Sequence, residues 1–252
     1  MVIFFINLTL SFLCGIITTS EIVFLYGKGF GFMKILFQGD SITDGARYKS
    51  KASEWDKNHQ IGHSYVYILT GLLGMNFPER HLEFVNKGIS GNAVTDLFAR
   101  WQTDALDIAP DVLSVLVGVN DCLRESKKIA PDLSASAYEE HYRKLLTMSR
   151  EKNPDLQIIL LEPFAHIEGQ QNAGASETIR RAILLSEQKA VRRLAKEFDA
   201  IFVPLQAAFD EAMTLREPSY WIWDGTHPTE AGHAIIAREF LKKTKKLFDF
   251  EI

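Results

Sequence analysis

Lys34-Ile35-Leu36-Phe37-Gln38, followed at once by Gly39-Asp40-Ser41-Ile42-Thr43, is the stretch from which the fold can be read. Its first half is apolar without alternation, the mark of a strand covered on both faces. Its second half is a turn, with Asp40 or Ser41 suited to cap a following helix. The same unit recurs downstream. Strand-like runs cover Leu82–Asn86, Val112–Val117, Gln157–Leu161 and Ala200–Val203. Helix-like stretches lie at about 63–76, 94–108, 136–152, 176–198 and 229–247. Five β units separated by helices predict a parallel sheet covered on both sides. Right-handed crossovers make this a three-layer α/β/α sandwich. The stretch from Met33 to Ile252 shows no internal repeat, low-complexity linker or second domain.

Composition agrees with a packed domain. The 252 residues are 46% hydrophobic and 24% charged, enough apolar material for a substantial core. Net charge is −4, and the one short basic stretch, Lys242, Lys243, Lys245 and Lys246, reads as a solvated helix face. No nucleic-acid partner is expected. The two cysteines, Cys14 and Cys122, lie in very different surroundings, which argues against a disulfide framework and for a reducing compartment.

In such sheets ligands bind beyond the C-terminal ends of the strands. The residues there are distinctive: Gly39-Asp40-Ser41 after the first strand, Gly88-Ile89-Ser90-Gly91-Asn92 after the second and Gly118-Val119-Asn120-Asp121 after the third. Asp224-Gly225-Thr226-His227-Pro228 precedes the last helix. Ser41 at a strand-to-helix turn is an exposed hydroxyl that needs a base to become a nucleophile. His227 is the candidate base, and Asp224, three residues earlier, can hold its imidazole on a tight turn. Gly91 can offer a backbone N–H, Asn120 a side-chain amide and Ser41 its own N–H to a developing oxyanion. Singly, each has a plainer reading as a helix cap, a turn glycine, an Asx turn or an exposed histidine. Jointly, they supply a nucleophile, a base, an orienting carboxylate and oxyanion donors at the ends of a sheet.

At these residues the chain resembles the GDSL/SGNH hydrolases, whose letters stand for Ser, Gly, Asn and His. Ser41 in Gly-Asp-Ser-Ile-Thr, Gly91 in Ile-Ser-Gly-Asn, Asn120 in Gly-Val-Asn-Asp and His227 in Asp-Gly-Thr-His-Pro occur in the expected order. Asp224 stands at the expected offset. The resemblance covers about 34–245 and implies a flavodoxin-like sheet of order 2-1-3-4-5, a serine esterase mechanism and no cofactor or metal. A narrower resemblance, to intracellular bacterial acetylxylan esterases, rests on residues 86–92, Ala99-Arg100-Trp101, Gln206-Ala207-Ala208-Phe209-Asp210-Glu211 and Trp223-Asp224. It implies release of acetyl groups from xylo-oligosaccharides and assembly into a homo-oligomer. The other expectations are a lipase-like, lysophospholipase or thioesterase activity on longer acyl chains, and a non-catalytic carbohydrate-binding relative. Trp223, Trp221 and Asp40 are candidate substrate contacts.

Other motifs carry less. Gly62-His63-Ser64-Tyr65-Val66 lacks the second glycine of a nucleophile elbow and follows a polar loop. His59 and His63 have no obvious third ligand for zinc. His166, after the fourth strand, is either a site-lining or an ordinary loop residue. The loop 46–61 is individual to this chain and can reshape the pocket.

Residues 1–32 read differently from the domain at 33–252. Residues 2–20 carry no charge, and no Lys or Arg precedes Lys28, so the positive flank of an export signal or an anchor is missing. Gly27-Lys28-Gly29 can be encoded by a purine-rich stretch a few codons before Met33, where a ribosome-binding site would sit. The expectation is a start at Met33 and a cytoplasmic domain making no membrane contact; a genuine 1–32 segment would make the protein exported or anchored. A chain beginning at Met33 is expected to be soluble and to hydrolyse p-nitrophenyl acetate as the full chain does. An inactive or insoluble short form beside a working long form would make the segment part of the working structure.

Overall fold

In a computed structural model, the structure describes residues 32–49, 57–128, 134–169 and 175–249. The expectations for 1–31, including Cys14, and for the middle of the 46–61 loop lie outside the described residues. Those that are described belong to one compact unit, Phe32–Ile252.

Five strands form the sheet: β1 (Met33–Gly39), β2 (Leu82–Asn86), β3 (Val112–Leu116), β4 (Gln157–Leu161) and β5 (Ile201–Val203). All neighbours are parallel, in the order β2-β1-β3-β4-β5 that the sequence implied. Ile35 pairs with Val112 and Phe84, which sets β1 in the middle of three strands.

Because successive strand residues point to opposite faces, each continuous apolar run feeds two cores. Ile35, Phe37, Val112, Leu116, Ile159 and Leu161 join the first. Leu36, Leu113, Val115, Ile158 and Leu160 join the second. The first core is covered by α3 (Tyr65–Asn76) and α10 (Glu230–Phe248). The second is covered by α4 (Val94–Trp101), α6 (Ala135–Lys152) and α7 (Glu177–Glu197). Phe37 meets Tyr65 edge-on at 6.2 Å and Phe240 at 6.0 Å, so both helices of the first layer dock on one side chain of β1.

Two expectations change. The stretch 94–108 is not one helix: α4 ends at Trp101 and a π turn spans Gln102–Leu106. There Arg100 meets Asp104 at 2.9 Å and the Trp101 indole N–H donates to Ser149 Oγ at 2.9 Å. Short helices also appear where no apolar period was visible: α1 (Ser41–Asp44), α2 (Lys57–Ile61), α5 (Val119–Ser126), α8 (Gln206–Met213) and α9 (Pro218–Trp221). α1, α5 and α8 follow β1, β3 and β5, and helices this short depend on tertiary contacts.

The turn between β1 and α1 is tight. A Cβ at Gly39 would collide with the Leu116 carbonyl and the Thr43 hydroxyl. Beside it Asp40, 1% exposed, caps α1 by accepting the Ile42 N–H at 3.0 Å. Burial pushes the Asp40 carboxyl up to about 7, opposed by the Ile42 N–H and by His227. The folded protein therefore keeps a proton that the unfolded chain releases from about pH 4 upward. Stability from this group falls as pH rises from about 4 to about 7 and is level above that.

Gly39→Ala is expected to lower the unfolding free energy by about 1–3 kcal/mol in urea titration. Asp40→Asn keeps an acceptor for Ile42 and removes the buried charge. It is expected to raise Tm relative to the parent more at pH 8 than at pH 5; an equal difference at both values would refute the assignment.

Candidate active site

Ser41 is the first residue of α1 and is half-buried. Its Oγ lies 2.9 Å from His227 Nε2, across 186 residues of sequence. His227 Nδ1 lies 2.6 Å from Asp224 Oδ2. The other oxygen, Oδ1, accepts the N–H of Thr226 at 2.9 Å and of His227 at 2.7 Å. With Nδ1–H committed to a carboxylate, the Nε2 lone pair faces the Ser41 hydroxyl. Burial alone would raise the Asp224 carboxyl, but the His227 and Thr226 hydrogen bonds outweigh it and hold it below the ordinary aspartate range. Asp224 therefore stays ionised at neutral pH.

The turn that carries these groups is built to be rigid. Gly225 sits at φ 82°, where a side chain would strain the backbone. A bridge between Ile222 and Pro228, with the Trp223 N–H donated to the His227 carbonyl at 3.1 Å, closes its ends. Thr229 then caps α10 through the Gly232 N–H.

Opposite this turn lies the loop after β2. Gly91, at φ 82°, has open space where a Cβ would be, so its backbone can be approached closely. The N–H groups of Ser41 and Gly91 have no acceptor among the described residues. Asn120, in the first turn of α5, gives one amide hydrogen to the Asn92 carbonyl at 3.1 Å, leaving the second available. Backbone donors of this kind are the parts of an oxyanion hole.

The loop is held by side chains that the sequence alone did not single out. Asp44 Oδ2 accepts the Ser90 N–H at 2.9 Å, and Asn86 Oδ1 accepts the Gly88 N–H at 2.9 Å. Arg100 donates to Asn92 Oδ1 at 2.9 Å, and Arg124 donates to the Gly91 carbonyl at 2.6 Å. Asp121, fully buried, receives the Val94 N–H at 3.0 Å. Burial pushes its carboxyl up to about 8, against the pull of that hydrogen bond. The only trace in the sequence was position: Asn86, Arg100 and Asp121 stand inside quoted motifs, whereas Asp44 and Arg124 do not.

Three candidate contacts separate. Trp223 is 63% exposed and stacks on the His227 ring at 5.7 Å and 20°, at the mouth of the site. Trp221 instead packs against the core and edge-on to Tyr220 at 4.8 Å. Asp40 is likewise withdrawn: it is buried, and its carboxylate is used by the Ile42 N–H, so it supports Ser41 from beneath rather than touching substrate. Among the decoys, Ser64 caps α3 and donates to the Thr43 carbonyl at 2.9 Å. His59 and His63 meet edge-on at 5.8 Å, and Tyr48 meets His59 edge-on at 5.2 Å.

Comparison with known proteins leads to one group. Residues 37–235 match the GDSL-like lipase/acylhydrolase family. The chain is 36% identical to an acetylxylan esterase of Geobacillus stearothermophilus, over 83% of this chain and 93% of that protein. The crystal structure of that organism's acetylxylan esterase Axe2 superposes with a TM-score of 0.73 at 36% identity, covering 87% of this chain and 95% of that one. A protein of Parabacteroides merdae described as a GDSL-like lipase superposes with a TM-score of 0.79 at 35% identity, covering 85% and 96%. The chain belongs to the GDSL-like lipase/acylhydrolase family and is a serine carboxylic ester hydrolase.

Proposed function

We propose that Ser41 is the nucleophile, His227 its base and Asp224 the orienting carboxylate of an esterase that removes acetyl groups from carbohydrate. The observation that carries this reading is the continuous hydrogen-bond chain Asp224–His227–Ser41, near N–H groups of Ser41 and Gly91 that have no acceptor among the described residues. Ser41 Oγ attacks the ester carbonyl while its proton passes to His227 Nε2. The oxyanion is met by the N–H groups of Ser41 and Gly91 and by the Asn120 amide. Collapse returns the proton from His227 to the departing sugar oxygen, and water attacks the acyl-enzyme by the same route in reverse.

The preference for a small acyl group is supported by Trp223, whose broad ring stacks on His227 and narrows the space beside the triad. The similarity to acetylxylan esterases points the same way. The same reading places the domain 33–252 in the cytoplasm as a homo-oligomer, acting on acetylated oligosaccharides without membrane or nucleic-acid contact. Among the described residues no helix is long and apolar enough to cross a membrane.

The test is acetate release from acetylated xylo-oligosaccharides, set beside p-nitrophenyl esters of increasing chain length. Acetyl esters are expected to lead, and Ser41→Ala is expected to lower kcat by roughly 10^4- to 10^6-fold. Trp223→Ala is expected to widen chain-length tolerance. Preferred turnover of long chains by the parent protein would move the enzyme to the lysophospholipase or thioesterase class. Absence of turnover on every ester would leave only a carbohydrate-binding role.

A further inference from the structure

Beside the turn that bears Asp224 and His227 lies a cavity of about 260 Å³ that the steps above do not use. Its polar wall is His166 and Glu168 from the segment after β4, Arg181 on α7, and Gln206 and Asp210 on α8; Met213 gives it an apolar patch. The His166 N–H donates to the Gly225 carbonyl at 2.9 Å, so the cavity wall and the catalytic turn are joined directly. His166 and Gln206 follow the C-terminal ends of β4 and β5, the same edge of the sheet at which Ser41 follows β1. β1 and β4 are separated by β3 alone, which makes two strand spacings, or roughly 10 Å.

The direction of the chemistry says which part of a substrate reaches this place. The acyl oxygen points to Gly91 and Asn120, which follow β2 and β3. The alcohol oxygen must lie within reach of His227, which returns the proton to it. The alcohol therefore lies on the side of the 224–227 turn, and whatever extends from it extends toward the cavity.

The polar groups there have capacity left. Among the described residues the His166 imidazole makes no hydrogen bond. Asp210 receives the Gln206 amide on Oδ1 at 2.9 Å, which leaves Oδ2 open. Arg181 and Glu168 approach only to 3.7 Å, longer than a hydrogen bond. Donors and acceptors of both charges around a small apolar patch suit a neutral polyhydroxylated ring. A free anion would meet Glu168 and Asp210, and an acyl chain would have to desolvate all of these groups. The volume holds one ring and is smaller than the pockets that drug-sized ligands occupy.

We propose that this cavity is a subsite for a second sugar ring of an acetylated oligosaccharide, so that the enzyme reads the chain beyond the ring it deacetylates. The proposal rests on the deacetylase reading above. It is tested by kcat/KM for acetate release from acetylated xylose and from acetylated xylotriose, in the parent protein and in Asp210→Ala and Arg181→Ala. The trisaccharide is expected to exceed the monosaccharide by about tenfold, the scale of one or two well-made hydrogen bonds, and each variant should remove most of that ratio. The ratio within one protein is the readout, so a general loss of activity in a variant cancels. Arg181, whose side chain is 56% exposed, decides the matter if Asp210→Ala does not fold. Equal values for the two sugars in the parent protein, or an undiminished ratio in the variants that fold, would overturn the subsite and leave the deacetylase reading in place. No acetate from either sugar would overturn both.

Discussion

Parallel pairing of β1 with β2 on one side and β3 on the other is the constraint on which the rest of this structure depends. Parallel strands bring their C-terminal ends to one edge, and the chain runs out from β1 to β2 before crossing back to β3. The crevice at such a reversal is where ligands bind in open α/β sheets. Ser41 stands there with the Gly91 loop on one side and the Asn120 helix on the other. The same pairing explains Gly39. The end of a central strand, with a neighbour on each side and a helix turning immediately above it, has no volume for a side chain.

N–H groups without a protein acceptor at the mouth of a site are left to water or a ligand, and they stay aimed only if the surrounding backbone is held by other contacts. Here the holding is done by Asp44, Asn86, Arg100, Asp121 and Arg124, each closing on a different part of residues 88–94. A loop fixed from several directions offers its donors without having to reorganise when charge appears, which is the physical content of electrostatic preorganisation. Asp121 does this as a buried carboxyl, and its burial favours the neutral form.

The sheet was legible because burial on both faces leaves a local signature, a run such as Ile35-Leu36-Phe37 that no helix face requires. The site was legible as a combination: Ser41, Gly91 and Asn120 follow strands, Asp224 and His227 precede the last helix, and the fold brings Ser41, His227 and Asp224 into one hydrogen-bonded chain. What escaped depends on partners distant in sequence. Asp40 and Ser41 are equivalent on paper, and only the packing around α1 decides that one is withdrawn and the other presented. Trp221 and Trp223 likewise differ by two positions, yet Trp221 ends α9 and packs against the core, whereas Trp223 lies beyond that helix and faces solvent. The break at Gln102–Leu106 follows from groups brought together by the tertiary fold: Gln38 of β1 donates to the Asp104 carbonyl, and Lys87 reaches the Asp104 carboxylate at 3.4 Å.

The 186 residues between the two ends of the Ser41–His227 hydrogen bond also bear on how the protein is made. A chain emerging from the ribosome exposes this hydroxyl 186 residues before the imidazole. Closing so long a loop is paid for by the docking of α10, whose Phe240 packs on Phe37 of β1. Until that helix docks, a nascent chain holds Ser41 without the His227 imidazole beside it. Reaction with an activated acyl or phosphonyl reagent would therefore serve as a clock for the last step of folding, since it reports the seating of the C-terminal helix rather than the formation of the sheet.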